Sequence, residues 1–361
     1  FIHLQRQARE RILDSLRRLV QQNWRRLCTE LQTYVTLQGR DSIRLVDFLK
    51  DQGVELESLY RGSGRSGWTC LKRQAGLLPG EATQEEEYFG RRFADLLHVD
   101  DVERLAFLAQ VTKASAAHAL KEAHPHHSGS ESVVLSGSTL LKDAGSVRER
   151  RLLQMLAYQI DAGHQQKETG AAFLARLMES PMSFRELGEL AEVLSSRNVL
   201  PARSIPGMED LPLCLHASYG NREILTAVGW LTDTRRSPFQ AGVLALPERR
   251  TELLFVTLDK REGYHQRIAY HDYAISAERF HWQTQNSAGP DTKVGRRYLE
   301  SPDNGWQFQL FVRQTRKDPY RACGPVSLLQ AEGNRPMSIH WKLDVPLPAR
   351  LFQAFSVLRD A

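Results

Sequence analysis

Only four cysteines occur in 361 residues, Cys28, Cys70, Cys214 and Cys323, and the nearest two are 42 positions apart. No CxxC pair exists to seed a zinc site or a redox couple, so buried reduced thiols are expected. No apolar run approaches the roughly 18 residues of a membrane span, and the opening FIHLQRQARE lacks the apolar core of a signal peptide. A cytoplasmic protein with no membrane partner is therefore expected. A GxxxxGK[ST] phosphate loop is missing too, which excludes P-loop ATP binding by these residues. The chain opens at Phe1 instead of Met, which predicts a piece of a longer protein.

What is present is ordinary for a folded chain: 41% apolar and 25% charged residues, enough for two domains with sizeable cores. The net charge of +5 is unevenly spread. Residues 1–26 hold seven arginines against two acids, and residues 211–361 hold twenty Lys and Arg against fifteen acids. Both ends are basic, which suits a polyanionic partner, although charge alone speaks to attraction and solubility.

Apolar residues recur at helical spacing from Ile12 to Val35, with arginines between them. Those arginines form either a solvated face or a contact surface. Asp41 or Ser42 can cap a second helix through Leu49, a third short segment ends at Tyr60, and Trp68 to Ala75 reads as another helix. Helical patterning continues from Glu85 to Thr112, with a break near His98 to Asp101, and resumes at Arg148 after a Ser/Gly/His-rich loop over 122–138. Ser183 and Glu186 have capping-box spacing for the helix that ends near Leu194. Pro201, Pro206, Gly207 and Pro212 then cluster as a joint between residues 1–205 and 212–361. Beyond them the period becomes alternating, as in WQFQLFVR and MSIHWKL, which predicts strands with one buried face. The expected fold is α+β. A helical N-terminal half precedes a mostly antiparallel β domain with flanking helices, and barrel-like closure is one form the pattern allows.

The segments HASYGNREILTAVGW, HDYAISAERFHWQTQNS, GRRYLES, FVRQTRKDPYRACGPV and EGNRPMSIHWKLDVPLPARLF occur in this order over residues 212–355. Together they resemble the uncharacterised domain that ends many bacterial superfamily II helicases of the DEAD/DEAH type, often downstream of a phospholipase D-like nuclease. RQARERI, YRGSGRSGW and LLHVDD are similar to the helical region that follows the motor in such proteins. The resemblance implies a non-motor C-terminal piece of a DNA helicase, genome defence among the implied roles, with DNA, duplex or single-stranded, and the helicase core of the parent chain as partners. ATP and Mg²⁺ are implied for the motor and not for this piece. The chain has neither a DExH box nor an HxKxxxxD motif, so no unwinding by these residues alone is expected.

Several groupings carry candidate chemistry. Gly62, Gly64 and Gly67 spell GxGxxG, but helix rather than strand precedes them, which argues against a dinucleotide site. Arg61, Arg65, Trp68, Lys72 and Arg73 instead form a candidate phosphate-contacting loop and helix within a helix-turn-helix-like element over 41–76, with plain helical packing as the alternative. His118, His124, His126 and His127 read as solvated loop histidines before they read as metal ligands. Asp272 and Asp291, with Lys293, invite a Mg²⁺-dependent nuclease reading, but Asp291 follows Gly289-Pro290 and suits a helix cap better. The stronger candidate is a DNA-binding surface. His281, Trp282, Gln283, Gln285 and Asn286 offer stacking rings and amides for base edges, while Arg296, Arg297, Arg313, Arg316, Lys317, Arg321 and Arg335 offer phosphate partners. A core Trp282 and an ordinary basic surface are the alternative, and a protein-interaction scaffold without nucleic-acid binding is a third reading.

Overall fold

The structure is a computed structural model that describes residues 23–39, 43–60, 66–122, 146–160, 168–235, 239, 241–258, 272–301 and 303–356. Asp41, Ser42, Arg61, Gly62, Gly64, Arg65, His124, His126, His127 and most of the arginine-rich N-terminus lie outside these residues, as does the His118 side chain. The chain divides into two compact units, residues 1–199 and 200–361. Among the described residues no helix is long and apolar enough to cross a membrane.

The first unit is helical. Helix α1 (residues 23–38) buries Leu27, Leu31 and Tyr34, one stripe at spacings of four and three. There follow α2 (Leu45–Gln52), a 3-10 turn (Leu56–Leu59), α3 (Trp68–Gln74), α4 (Gln84–Arg92), a second 3-10 turn (Phe93–Leu96), α5 (Val102–Glu122), α6 (Val147–Ile160), α7 (Gly170–Met178) and α8 (Pro181–Arg197). Thr83 opens α4 with a capping box closed by Glu86. Helix α8 is the hub, packed against α2, α3, α4, α5 and α7.

The expected capping box on α8 is not made. The helix starts at Pro181, whose fixed φ and missing N–H suit a first turn, and the Ser180 side chain caps no backbone group. Glu186 turns instead to the first turn of α3, where its carboxylate accepts the backbone N–H groups of Trp68 and Thr69, both at 2.8 Å, and the Tyr60 hydroxyl at 2.9 Å. One turn on, Glu189 accepts the Leu45 N–H at 2.7 Å and the Trp68 indole N–H at 2.9 Å. Two carboxylates of one helix thus satisfy the orphan donors at the starts of two others. Gly67 makes the approach possible: its φ is +96°, and a Cβ there would lie 2.6 Å from Glu186 Oε1 and 2.7 Å from Gly90 Cα.

The second unit is one open sheet of order β2-β3-β6-β7-β8-β5-β4, with β1 paired to the start of β7. Its strands are β1 (Ser218–Tyr219), β2 (Val243–Leu246), β3 (Thr251–Thr257), β4 (Tyr273–Ser276), β5 (Arg279–Gln283), β6 (Gln307–Arg313), β7 (Tyr320–Gly333) and β8 (Met337–Leu343). Every pairing is antiparallel except β3 with β6. The sheet does not close into a barrel, since β2 and β4 end it. Among the described residues three short α-helices accompany it, α9 (Asn221–Ala227), α10 (Lys293–Leu299) and α11 (Ala349–Phe355), with a 3-10 turn at Pro247–Arg249. The cap of α10 is Thr292, whose hydroxyl accepts the Gly295 N–H at 2.9 Å, one residue beyond the Asp291 that the sequence suggested.

One face of the sheet carries the main core, where Phe280, Trp282, Phe308, Leu310, Ile339 and Trp341 meet Tyr298 of α10 and Leu351 and Phe355 of α11. Strand β8 follows the alternation expected of one buried face, whereas β3 and β6 are buried on both. On their other face Phe255 stacks on Phe311 at 5.7 Å, and Gln309 donates to the Pro206 carbonyl at 2.9 Å. The proline-rich stretch, whose composition reads as a joint, is folded into this unit: Ile205, Met208, Leu211 and Leu213 are fully buried.

Candidate nucleic-acid interface

Strands β4, β5 and β8 bring one row of side chains together on the face opposite the main core. The register pairs Tyr273 with His281 and His281 with His340, flanked by the pairs Arg279 with Lys342 and Gln283 with Ser338. Period-two alternation puts these residues on one side because Ala274, Phe280, Trp282, Ile339 and Trp341 take the other. The Tyr273 and His281 rings stack at 5.2 Å with a 27° interplanar angle, and His340 meets His281 edge-on at 5.2 Å. His281 shares a 2.6 Å hydrogen bond with Ser338 through Nε2. Arg279 and Lys342 are exposed, while Tyr273, Gln283, Ser338 and His340 are half-buried. On the neighbouring β7, Gln330 pairs with His340, and the acidic Glu332 pairs with Ser338. The result is a short aromatic run between cationic and amide side chains.

Of the candidates in FHWQTQNS, His281 and Gln283 lie on this face and Trp282 does not. Trp282 is buried in the core, edge-on to Tyr298 at 5.5 Å. Gln283 also donates its backbone N–H to Asp272 at 2.8 Å. Gln285 and Asn286 are exposed in the turn that follows β5, which the buried Thr284 pins through bonds to Ala288 and Met337.

The predicted phosphate partners are dispersed. Arg297 is drawn inward to the buried Glu252, which also accepts the Tyr298 hydroxyl at 2.6 Å, and its guanidinium lies 4.0 Å from the Trp306 ring centroid. Arg296, one residue earlier, is exposed. Arg313 lies over Tyr320 at 4.4 Å and bonds Thr257 at 2.9 Å, with Lys317 exposed in the same turn before β7. Arg335 is in the turn after β7, ion-paired with Asp291. Fourteen residues of β7 separate those two turns, about 40 Å of extended chain, so these cations do not make one patch.

In the first unit Trp68 is fully buried, Lys72 lies 3.5 Å from Glu189 and over the Trp68 ring, and Arg73 makes a bidentate pair with Glu86 at 2.6 and 2.7 Å. These three form no exposed phosphate-binding patch, because the start of α3 is already occupied by Glu186. Burial raises the Glu186 pKa, and burial followed by the Glu186 charge holds Tyr60 well above its ordinary value. Among the described residues no group of three His, Cys, Asp or Glu side chains is placed to hold a metal ion. Asp272 is buried beneath the Gln283 amide, and Asp291 is at the surface beside Arg335.

Residues 213–355 match the family model described as a domain of unknown function, DUF3427. No helicase family is detected in the chain, and no curated protein matches it. Among the described residues the match covers β1 to β8 and α9 to α11. Tyr273, Arg279, His340 and Lys342 were not among the sequence candidates for this face. The alternation within HDYAISAERFHWQ and MSIHWKL assigns each residue a side, but the pairing of β5 with both β4 and β8 was needed to align them.

Proposed function

We propose that the second unit binds DNA across the outer face of β4, β5 and β8, as the non-motor C-terminal region of a superfamily II helicase in genome defence. The observation that carries this reading is the in-register row of Tyr273, His281 and His340, bordered by Arg279 and Lys342. The half-buried Tyr273 and His340 rings offer π-surfaces for bases, the buried His281 between them holds them in place, and flanking cations suit phosphates. The ordered resemblance over residues 212–355 supports it, and the domain match falls on the same stretch without assigning it a function. In this reading ATP and Mg²⁺ belong to the motor, the helicase core is the second partner, and the unit supplies substrate contact in the cytoplasm.

The test is fluorescence anisotropy of the full chain with labelled single-stranded and duplex oligonucleotides across a salt series. Tyr273→Ala and His340→Ala should each weaken single-strand binding by about 1–3 kcal/mol, roughly 5- to 150-fold, if the rings stack on bases. Arg279→Gln with Lys342→Gln should reduce the salt slope. Variants with wild-type melting that bind like wild type, or a wild-type chain that binds neither substrate at moderate salt, would replace this reading with the protein-scaffold one.

A further inference from the structure

The outer face of the sheet is polarised about its row of rings. On one side, two residues along the strands from His281 and His340, the exposed Arg279 and Lys342 pair with each other. On the other side Gln283 pairs with Ser338, and Ser338 pairs onward with the exposed Glu332 of β7. The register shift between Leu328 and Gln330 does not turn Glu332 away: Ala331 packs on the main core, so its neighbours Gln330 and Glu332 keep the outer face. Three parallel rows result, each roughly 7 Å from the next, the rise of two strand residues. The first is cationic, the second is aromatic, and the third carries an amide, a hydroxyl and a carboxylate.

A carboxylate on a DNA-binding face repels phosphates, so the backbone keeps to the Arg279–Lys342 border and the base edges turn toward Gln283, Ser338 and Glu332. Stacking on Tyr273 or His340 needs an uncovered base face, which a duplex holds inside its own stack. An ionised carboxylate only accepts hydrogen bonds, so the base beside it must present N–H groups. Guanine offers two adjacent donors, N1–H and the N2 amino group, one for each carboxylate oxygen. Adenine and cytosine offer one amino group beside a ring nitrogen that is itself an acceptor, and thymine sets its one N–H between two carbonyl oxygens. We propose that this face takes single-stranded DNA, with its backbone along Arg279 and Lys342, and that Glu332 selects guanine as the base beside His340. This rests on the DNA-binding reading above and adds to it a strand state, an orientation and a base preference.

Fluorescence anisotropy of the full chain tests this with four labelled oligonucleotides: an all-thymine strand, the same strand with one central guanine, the same with hypoxanthine in place of guanine, and the guanine strand annealed to its complement. The guanine strand should bind about fivefold or more tightly than the thymine strand. Hypoxanthine lacks the N2 amino group and should lose most of that gain, and the duplex should bind more weakly than the single strand it contains. Glu332 is exposed, so Glu332→Gln should fold normally. It should abolish the guanine preference and tighten binding to the thymine strand, because one repelling charge is gone. Equal binding of guanine and thymine strands, a preference kept in Glu332→Gln, or a duplex bound as tightly as its single strand would overturn the proposed selection. The DNA-binding reading would survive those results if Tyr273→Ala still weakens binding, whereas a chain that binds none of the four at moderate salt would overturn both.

Discussion

Glu186 Oε1 accepts the backbone N–H of Trp68 at 2.8 Å, so that a carboxylate of α8 closes the start of α3 across 118 residues of sequence. The same side chain takes the Thr69 N–H and the Tyr60 hydroxyl, three donors on one buried group. Three donors need an acceptor on both oxygens, and an amide supplies only one. Glu186→Gln should therefore destabilise the first unit by about 1–3 kcal/mol, the cost of a buried backbone donor facing another donor. Urea unfolding monitored by tryptophan fluorescence measures it, and wild-type stability in this variant would show that the carboxylate is not needed.

Arg73 and Glu86 should make stability depend on pH. Burial works against the Glu86 carboxylate, but the Arg73 guanidinium and the Thr83 N–H together hold its pKa below the ordinary value. A depressed carboxylate contributes stability above its unfolded pKa and loses it as pH falls through the folded one. The deficit of Arg73→Gln should be largest at neutral pH and should shrink as acid protonates Glu86. Unfolding free energies across an acid series read the trend, and a constant deficit would contradict it.

Adjacent arginines on α10 should behave differently. Arg297 pairs with Glu252, which is 1% exposed, and removing its charge leaves that carboxylate buried with the Tyr298 hydroxyl alone. Arg297→Ala should cost about 3–5 kcal/mol, as expected for one member of a buried pair. Arg296→Ala, at an exposed position, should change stability by less than about 0.5 kcal/mol. Chemical unfolding of the two variants side by side gives the comparison, and equal losses would refute the assignment.

All four cysteines are buried and none is in a disulfide. Burial is the main cause that pushes the Cys70 and Cys323 thiols up to about 12, which leaves almost no thiolate at pH 8. Ellman's reagent should find these two thiols only on unfolding. Rapid labelling of either residue, located by peptide mass, in the native protein would disprove their burial.

The local pattern already determined much of the protein. Helical spacing in the first half, the change to alternation beyond the prolines and the break near His98 to Asp101 are effects of neighbouring residues, and each appears as a helix, a strand or an interruption. Alternation also separates Trp282 from His281 and Gln283, because adjacent residues of a strand face opposite sides. Long-range pairing decided the rest. Glu186 has the spacing of a local cap, yet two backbone N–H groups of α3 and the Tyr60 hydroxyl offer three buried donors that α8 itself does not, and the stronger demand wins. Nothing near Arg297 in the sequence distinguishes it from Arg296, since Glu252 lies 45 residues away. The row from Tyr273 through His281 to His340 exists only because β5 pairs with β4 on one edge and β8 on the other. Strand order is set by burying a whole face at once, a free energy that no single segment contains.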